Sequence, residues 1–173
     1  MPVVLINFCV VAVLLRLAML VVSIRHEKAL KAAGGVELGA GNTKLLALTH
    51  VAFYIAAITE GSLRPAELSA TYWIGVAIYL FGMLMLFLVV LMLGRFWTVK
   101  LILARDHELI DNPLFRWVRH PNYFLNILPE LVGFALMLQA WWTLGIGLAL
   151  YAIPLTIRIR QEEAAMSGRF NNY

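Results

Sequence analysis

The chain has 173 residues, 62% of them hydrophobic and only 14% charged, with a formal net charge of +4. Soluble domains run at about 45–50% apolar and about 25% charged, so this composition belongs to the membrane class and excludes a disordered chain, a coiled coil or a secreted disulfide scaffold. A lone cysteine, Cys9, can close no internal bridge and build no cysteine zinc site, and without a water-facing basic module the positive charge points to membrane topology rather than nucleic acid.

A bilayer core about 30 Å thick takes about 20 apolar residues per helix. Val3–Ile24 supplies a first span interrupted only by Arg16, and no basic n-region or small-residue cleavage site marks it as a signal peptide. The glycines at 34, 35, 39 and 41 do not form a GxGxxG fingerprint and follow no strand, so they read as a flexible loop. Leu45–Thr59, extending through Leu63, is a shorter second span, and Glu60, Arg64 and Glu67 read as a solvated loop beyond it. The stretch between Glu67 and Arg95 carries no charge and predicts a third span over Thr71–Leu93, in which Gly75 and Gly82 are tolerated. The stretch between Arg119 and Arg158, with only His120 and Glu130 as ionisable groups, is nearly twice as long as one span. That length predicts a helical hairpin opening at Pro121, a favoured first-turn position, and breaking near Gln139–Trp142, with Trp141 and Trp142 as interfacial anchors.

The expected fold is therefore an all-α polytopic membrane protein of about five transmembrane helices closing in a C-terminal helical hairpin. It reads as a single domain over residues 1–173, with three spans in 1–93 and a loop, hairpin and tail in 94–173. Of the 14 Lys and Arg, 12 fall in the loops after spans one and three or in the tail, which places the N-terminus outside and the C-terminus in the cytosol of a bacterial cytoplasmic membrane. Gly145 and Gly147 permit close helix contact without making a small-xxx-small motif, and the oligomeric state stays open.

Arg16 and Glu130 lie inside apolar segments, where a central ion costs at least about 2.5–3.5 kcal/mol, so each must face the bundle interior. They either pair with each other or with backbone carbonyls, or line a polar cavity. His50 reads as a hydrogen-bonded core histidine. The four histidines at 26, 50, 107 and 120 show no ligand spacing, and no metal is expected.

Two polar segments fall on one side of the membrane: GRFWTVKLILARDHELIDNPLFRWVRHPNY from Gly94 to Tyr123, and RIRQEEAAMSGRFNNY from Arg158. The first gathers His107, Glu108, Arg119 and His120 with Trp97 and Tyr123. In the second, Arg158 and Glu162 are four apart on one helical face, which suits an intrahelical pair. A carboxylate for an amine, an arginine or histidine for a carboxylate and aromatics for an adenine or a cation also suit a zwitterionic cofactor.

HELIDNPLFRWVRHPNY, then a helical hairpin, then RIRQEE, resembles the isoprenylcysteine carboxyl methyltransferase family over about Gly94–Glu163. The resemblance implies S-adenosylmethionine as cofactor, without a Rossmann domain. On it, His107 and Leu109 would flank the adenosine, His120 and Tyr123 would contact the methionine part, and Arg119 and Glu162 would complete the cofactor set. Arg158 would lie near the acceptor and share catalysis with Glu162 and Glu163. The chain departs from the family pattern at Leu125, often glycine, and at Asn112-Pro113-Leu114-Phe115, where a Gly-x-Tyr turn is usual. LGRFWTVKLI and the short tail look most like members that O-methylate alkylpyrones or alkylresorcinols. The implied partners are membrane lipids and a lipid-tailed or prenylated acceptor, with no nucleic acid. A membrane reductase using a nicotinamide cofactor and a non-enzymatic transport or structural protein relying on Arg16 and Glu130 are the rival readings.

Overall fold

The computed structural model describes residues 3–63, 68–103, 114 and 117–168. Across these it is a mainly helical membrane bundle of five helices: α1 (Val3–Ala32), α2 (Ala40–Ser62), α3 (Ala70–Leu93), α4 (Asn122–Met137) and α5 (Thr143–Ser167). All but α4 are long and apolar enough to cross a bilayer, and α4 is the short arm of the hairpin. Large apolar side chains such as Leu48, Ile55 and Leu91 face outward, as a lipid-facing surface requires.

Each helix has a local cause. Ser69 caps α3 by accepting from the Tyr72 N–H, and Gly94, at φ +51°, ends it. Pro121 starts the hairpin, and the opening of α4, Asn122–Ile127, is π-helical. Pro129 follows it, lacks an N–H and crowds the Leu125 carbonyl, which accounts for the widened turn. The hairpin breaks at Leu138–Gln139, with Gln139 at φ +52°. There Glu60 accepts from the Trp142 and Thr143 amides (3.1 and 2.9 Å) and from the Thr143 hydroxyl (2.9 Å). A carboxylate from α2 thus satisfies orphan donors at the start of α5, so Glu60 is a clamp on the hairpin and not part of a solvated loop. Arg64 and Glu67 lie outside the described residues.

Three further readings are corrected. Helix α1 runs on past Ile24 to Ala32, so Arg25, Lys28 and Lys31 are helical, and α2 begins at Ala40 rather than Leu45. The glycine-rich connection is also ordered. Gly34, at φ +86°, turns the chain into β1 (Val36–Leu38), which pairs antiparallel with β2 (Leu101–Leu103). Lys31 holds this ribbon from α1, its ammonium donating to Glu27 (2.7 Å) and Glu37 (2.5 Å), while Lys100 donates to Glu27 at 2.6 Å. Three-residue strands carry too little pattern for periodicity to register them.

The core lies where α3 and α4 touch backbone to backbone. A Cβ at Gly133 would collide with the Tyr79 nitrogen and sit 2.7 Å from the Gly75 carbonyl oxygen, and one at Gly82 would sit 2.9 Å from the Glu130 nitrogen. Small residues at these crossings are what let two apolar helices pack when lipid offers no hydrophobic gain. Around the contact pack Phe134, Leu131, Met137 and Leu86, with Tyr54 stacked on Phe134 at 4.2 Å and Phe8 edge-on to Tyr79 at 4.8 Å.

Gly133→Val therefore forces a backbone shift worth about 1–3 kcal/mol or more and lowers the melting temperature in detergent, whereas Gly145→Ala, whose Cβ meets open space, leaves it nearly unchanged. The Glu37 carboxyl is held below its usual range, first by the Lys31 hydrogen bond and then by the charge of Lys100. Its contribution is present above the ordinary carboxylate value of about 4.3 and is lost as pH falls through the lowered one. Melting curves of wild type and Glu37→Gln should separate slightly at about pH 7 and draw together as pH falls through the lowered value.

Candidate functional site

The end of the bundle where α1, α3 and α5 finish and α2 and α4 begin gathers the polar residues. Helical spacing places Arg158 about one turn before the adjacent Glu162 and Glu163 on α5, and Pro121 starts α4 so that His120 and Tyr123 face them. The Tyr123 hydroxyl donates to Glu162 Oε2 at 2.7 Å. His120 Nε2 lies 3.2 Å from Glu163 Oε1, its Nδ1 lies 3.9 Å from Glu162 Oε2, and its ring stacks on Tyr123 at 5.9 Å. A carboxylate accepts only, so the Glu163 contact puts a ring proton on Nε2. The buried Nδ1 has no hydrogen-bond partner among the described residues.

Arg158 is 3% exposed. Its Nε donates to the Tyr123 hydroxyl oxygen (3.2 Å), Nη1 to Thr43 Oγ1 (2.8 Å) and Nη2 to the Val99 carbonyl (3.0 Å). The guanidinium therefore joins α5 to α4, to α2 and to the segment before β2, and its described bonds do not include the intrahelical Glu162. Trp97 supports the same end: its Nε1 donates to Asn122 Oδ1 at 3.4 Å, and His26 Nδ1 donates to its carbonyl at 2.8 Å.

His120, Tyr123, Arg158, Glu162 and Glu163 thus form one cluster. Arg119, next to His120 in sequence, is exposed and makes no hydrogen bond or ion pair with that cluster among the described residues, and His107 and Leu109 lie outside them. Phe115 is likewise outside, and Leu125 is half-buried on α4. Thr43, Ser23, His26 and Asn122 escaped sequence reasoning. Single polar residues in or beside helices resemble caps or surface positions until the fold supplies their partners.

A second polar cluster lies deeper in the bundle. Arg16 and Glu130 form a direct ion pair, Arg16 Nε donating to Glu130 Oε1. The Tyr54 hydroxyl donates to the same oxygen at 2.5 Å, and Arg16 Nη2 donates to Asn126 Oδ1 at 3.5 Å. Of the two readings left open by the sequence, these residues take the first. His50 packs among aromatics, stacked on Tyr54 at 5.3 Å, with Nε2 3.8 Å from Glu130 Oε1 and without a hydrogen bond there among the described residues.

The chain matches the family model described as "Isoprenylcysteine carboxyl methyltransferase (ICMT) family" over residues 73–168. It is 47% identical over 162 residues to a Haemophilus influenzae protein, covering 94% of this chain and 93% of that one. It is 28% identical over 152 residues to the Bacillus subtilis protein YpbQ, covering 87% and 89%. Neither relative carries an assigned activity in its name. No solved structure matches the chain.

Glu130→Gln leaves Arg16 as an uncompensated charge in hydrocarbon, and unfolding measurements in detergent should show a loss of about 3–5 kcal/mol. Arg16→Met combined with Glu130→Leu removes both ions and should recover most of that loss.

Proposed function

Because the chain belongs to the isoprenylcysteine carboxyl methyltransferase family and is a multi-pass membrane methyltransferase, we propose that it is an S-adenosylmethionine-dependent O-methyltransferase of a lipid-tailed acceptor. The observation that carries the reading is the convergence of His120, Tyr123, Glu162 and Glu163 at one end of the bundle, around a buried imidazole nitrogen without a partner among the described residues. These groups fit the cofactor. An amino-acid end needs carboxylates for its ammonium and a donor for its own carboxylate, a nucleoside end needs aromatic surface, and the buried Nδ1 needs a hydrogen-bond partner.

S-adenosylmethionine, when bound, supplies a methyl group on a positively charged sulfur. Glu162 would hold the ammonium, His120 and the Tyr123 ring the methionine part, and His107, Leu109 and Arg119 the remainder, on the family resemblance. The protein's chief work is alignment, since orientation alone is worth up to about 7–11 kcal/mol. Arg158 adds a fixed positive charge beside an acceptor carboxylate or enolate, in a site where exclusion of water strengthens it. If the acceptor is a hydroxyl, Glu163 takes its proton directly or through water, as a carboxylate already set against an imidazole. The acceptor's tail lies among the helices and its head reaches the site from the bilayer, which accounts for a methyltransferase embedded in a membrane. The distribution of Lys and Arg supports a site on the cytosolic side, where the cofactor is available.

Calorimetric titration of the detergent-solubilised protein with S-adenosylhomocysteine should give saturable binding that His120→Ala and Glu162→Ala each weaken about tenfold or more, the effect of one lost charge-assisted hydrogen bond. A folded wild type that binds none overturns the reading. With labelled cofactor, transfer to a prenylated cysteine rather than to an alkylpyrone identifies the acceptor as a carboxylate, and the converse identifies a hydroxyl.

A further inference from the structure

We infer that Arg158 and Thr43 are positioning residues that fix the hydrogen-bond direction of Tyr123 and so present Glu162 to the cofactor in one orientation. The inference rests on the methyltransferase reading for what Glu162 does, and on hydrogen-bond chemistry alone for how it is held. A guanidinium has five N–H donors, no acceptor, and stays charged at any working pH. Where Arg158 Nε meets the Tyr123 oxygen, that oxygen can only accept. The single phenolic proton is then left for Glu162 Oε2, 2.7 Å away.

A tyrosine beside a carboxylate alone keeps two in-plane positions for its proton and can turn it toward a ligand. Beside Arg158 it cannot, because the reverse orientation would aim an O–H at a group with no lone pair. Tyr123 therefore contributes its ring to the cofactor pocket and its hydroxyl to Glu162. One oxygen of Glu162 is occupied by the phenol, which leaves the other to meet a bound ammonium.

The device works only if the guanidinium itself is fixed, and its other two nitrogens do that. Thr43 Oγ1 takes Nη1 from the first turn of α2, and the Val99 carbonyl takes Nη2. Val99 is in turn held by its own N–H, which donates to Ser23 Oγ on α1 at 2.8 Å. Thr43 and Ser23 are both buried, so these are bonds in a low-dielectric setting with no water to replace them. Thr43 lies outside the residues matched by the family model, and nothing in its sequence context marks it as part of a site.

The test uses the full chain in detergent micelles with S-adenosylhomocysteine as probe. Thr43→Val removes the hydroxyl acceptor at nearly constant volume and should weaken binding about tenfold, while Thr43→Ser, which restores the hydroxyl, stays within about threefold of wild type. Tyr123→Phe should weaken binding similarly, and Thr43→Val on top of it should add little, since both act through one proton. Independently of any ligand, 3-fluorotyrosine placed at position 123 should show a shifted fluorine resonance in Thr43→Val and in Arg158→Lys. Thr143→Val, at the opposite end of the bundle, should leave it in place. Wild-type affinity in Thr43→Val, additive losses in the double variant, or a fluorine resonance that ignores Thr43 each overturn the inference. A wild type that binds no S-adenosylhomocysteine overturns the methyltransferase reading instead, and the fluorine comparison then decides by itself whether Thr43 governs Tyr123.

Discussion

An arginine and a glutamate cannot sit apart in hydrocarbon, and that constraint sets the register of the bundle. Arg16 on α1 and Glu130 on α4 must meet at one depth, because either ion alone is costly there. Arg16 lies about two helical turns before Ser23, and Glu130 lies about two turns after Tyr123. Fixing the pair in the membrane therefore fixes which residues arrive together at the polar end. There Ser23 and His26 of α1 hold the backbone of Val99 and Trp97, and Trp97 holds Asn122 at the start of α4. The glycine contacts between α3 and α4 serve the same end from the opposite side: Gly82 lets α4 approach at Asn126 and Glu130, so their side chains are turned toward α1 and α2.

The large features of this fold were legible because they follow from solvent. Stretches without charge could only be spans, and the long apolar stretch between Arg119 and Arg158 could only be a hairpin. Within the site, charge and helical spacing put Arg158, Glu162 and Glu163 on the same side of the membrane as His120 and Tyr123, and only the family resemblance singled these five out with roles. Where the sequence misled, the missing information was tertiary. Arg158 and Glu162 are four apart and suit an intrahelical pair, yet both turn to Tyr123, because a buried phenol between them offers each a partner that needs no water. Glu60 looked solvated because only the returning hairpin brings it the three donors at Trp142 and Thr143.

The β-ribbon shows a different limit. VEL and LIL are too short for alternation to be read, and each is stable only because the other exists, two membrane spans further along the chain. What anchors them is a set of charges, Glu27, Lys31, Glu37 and Lys100, that the composition presents simply as a basic loop. Such exposed pairs are individually weak, worth about 0–1 kcal/mol, but several of them around two strands order a connection that glycine content alone suggests is loose.

The residues matched by the family model, 73–168, carry the recognisable motifs but would leave the site's own groups incomplete. Arg158 would lose Thr43, the Trp97 carbonyl would lose His26, the Val99 amide would lose Ser23, and Glu130 would lose Arg16. Every one of those partners lies on α1 or α2. A buried donor or ion without its partner costs far more than the same bond contributes when made, so the first two helices cannot be a passive anchor for the remainder. They supply two acceptors, a donor and the counter-ion that make it possible to hold an arginine, a tyrosine and two glutamates together at the edge of a membrane.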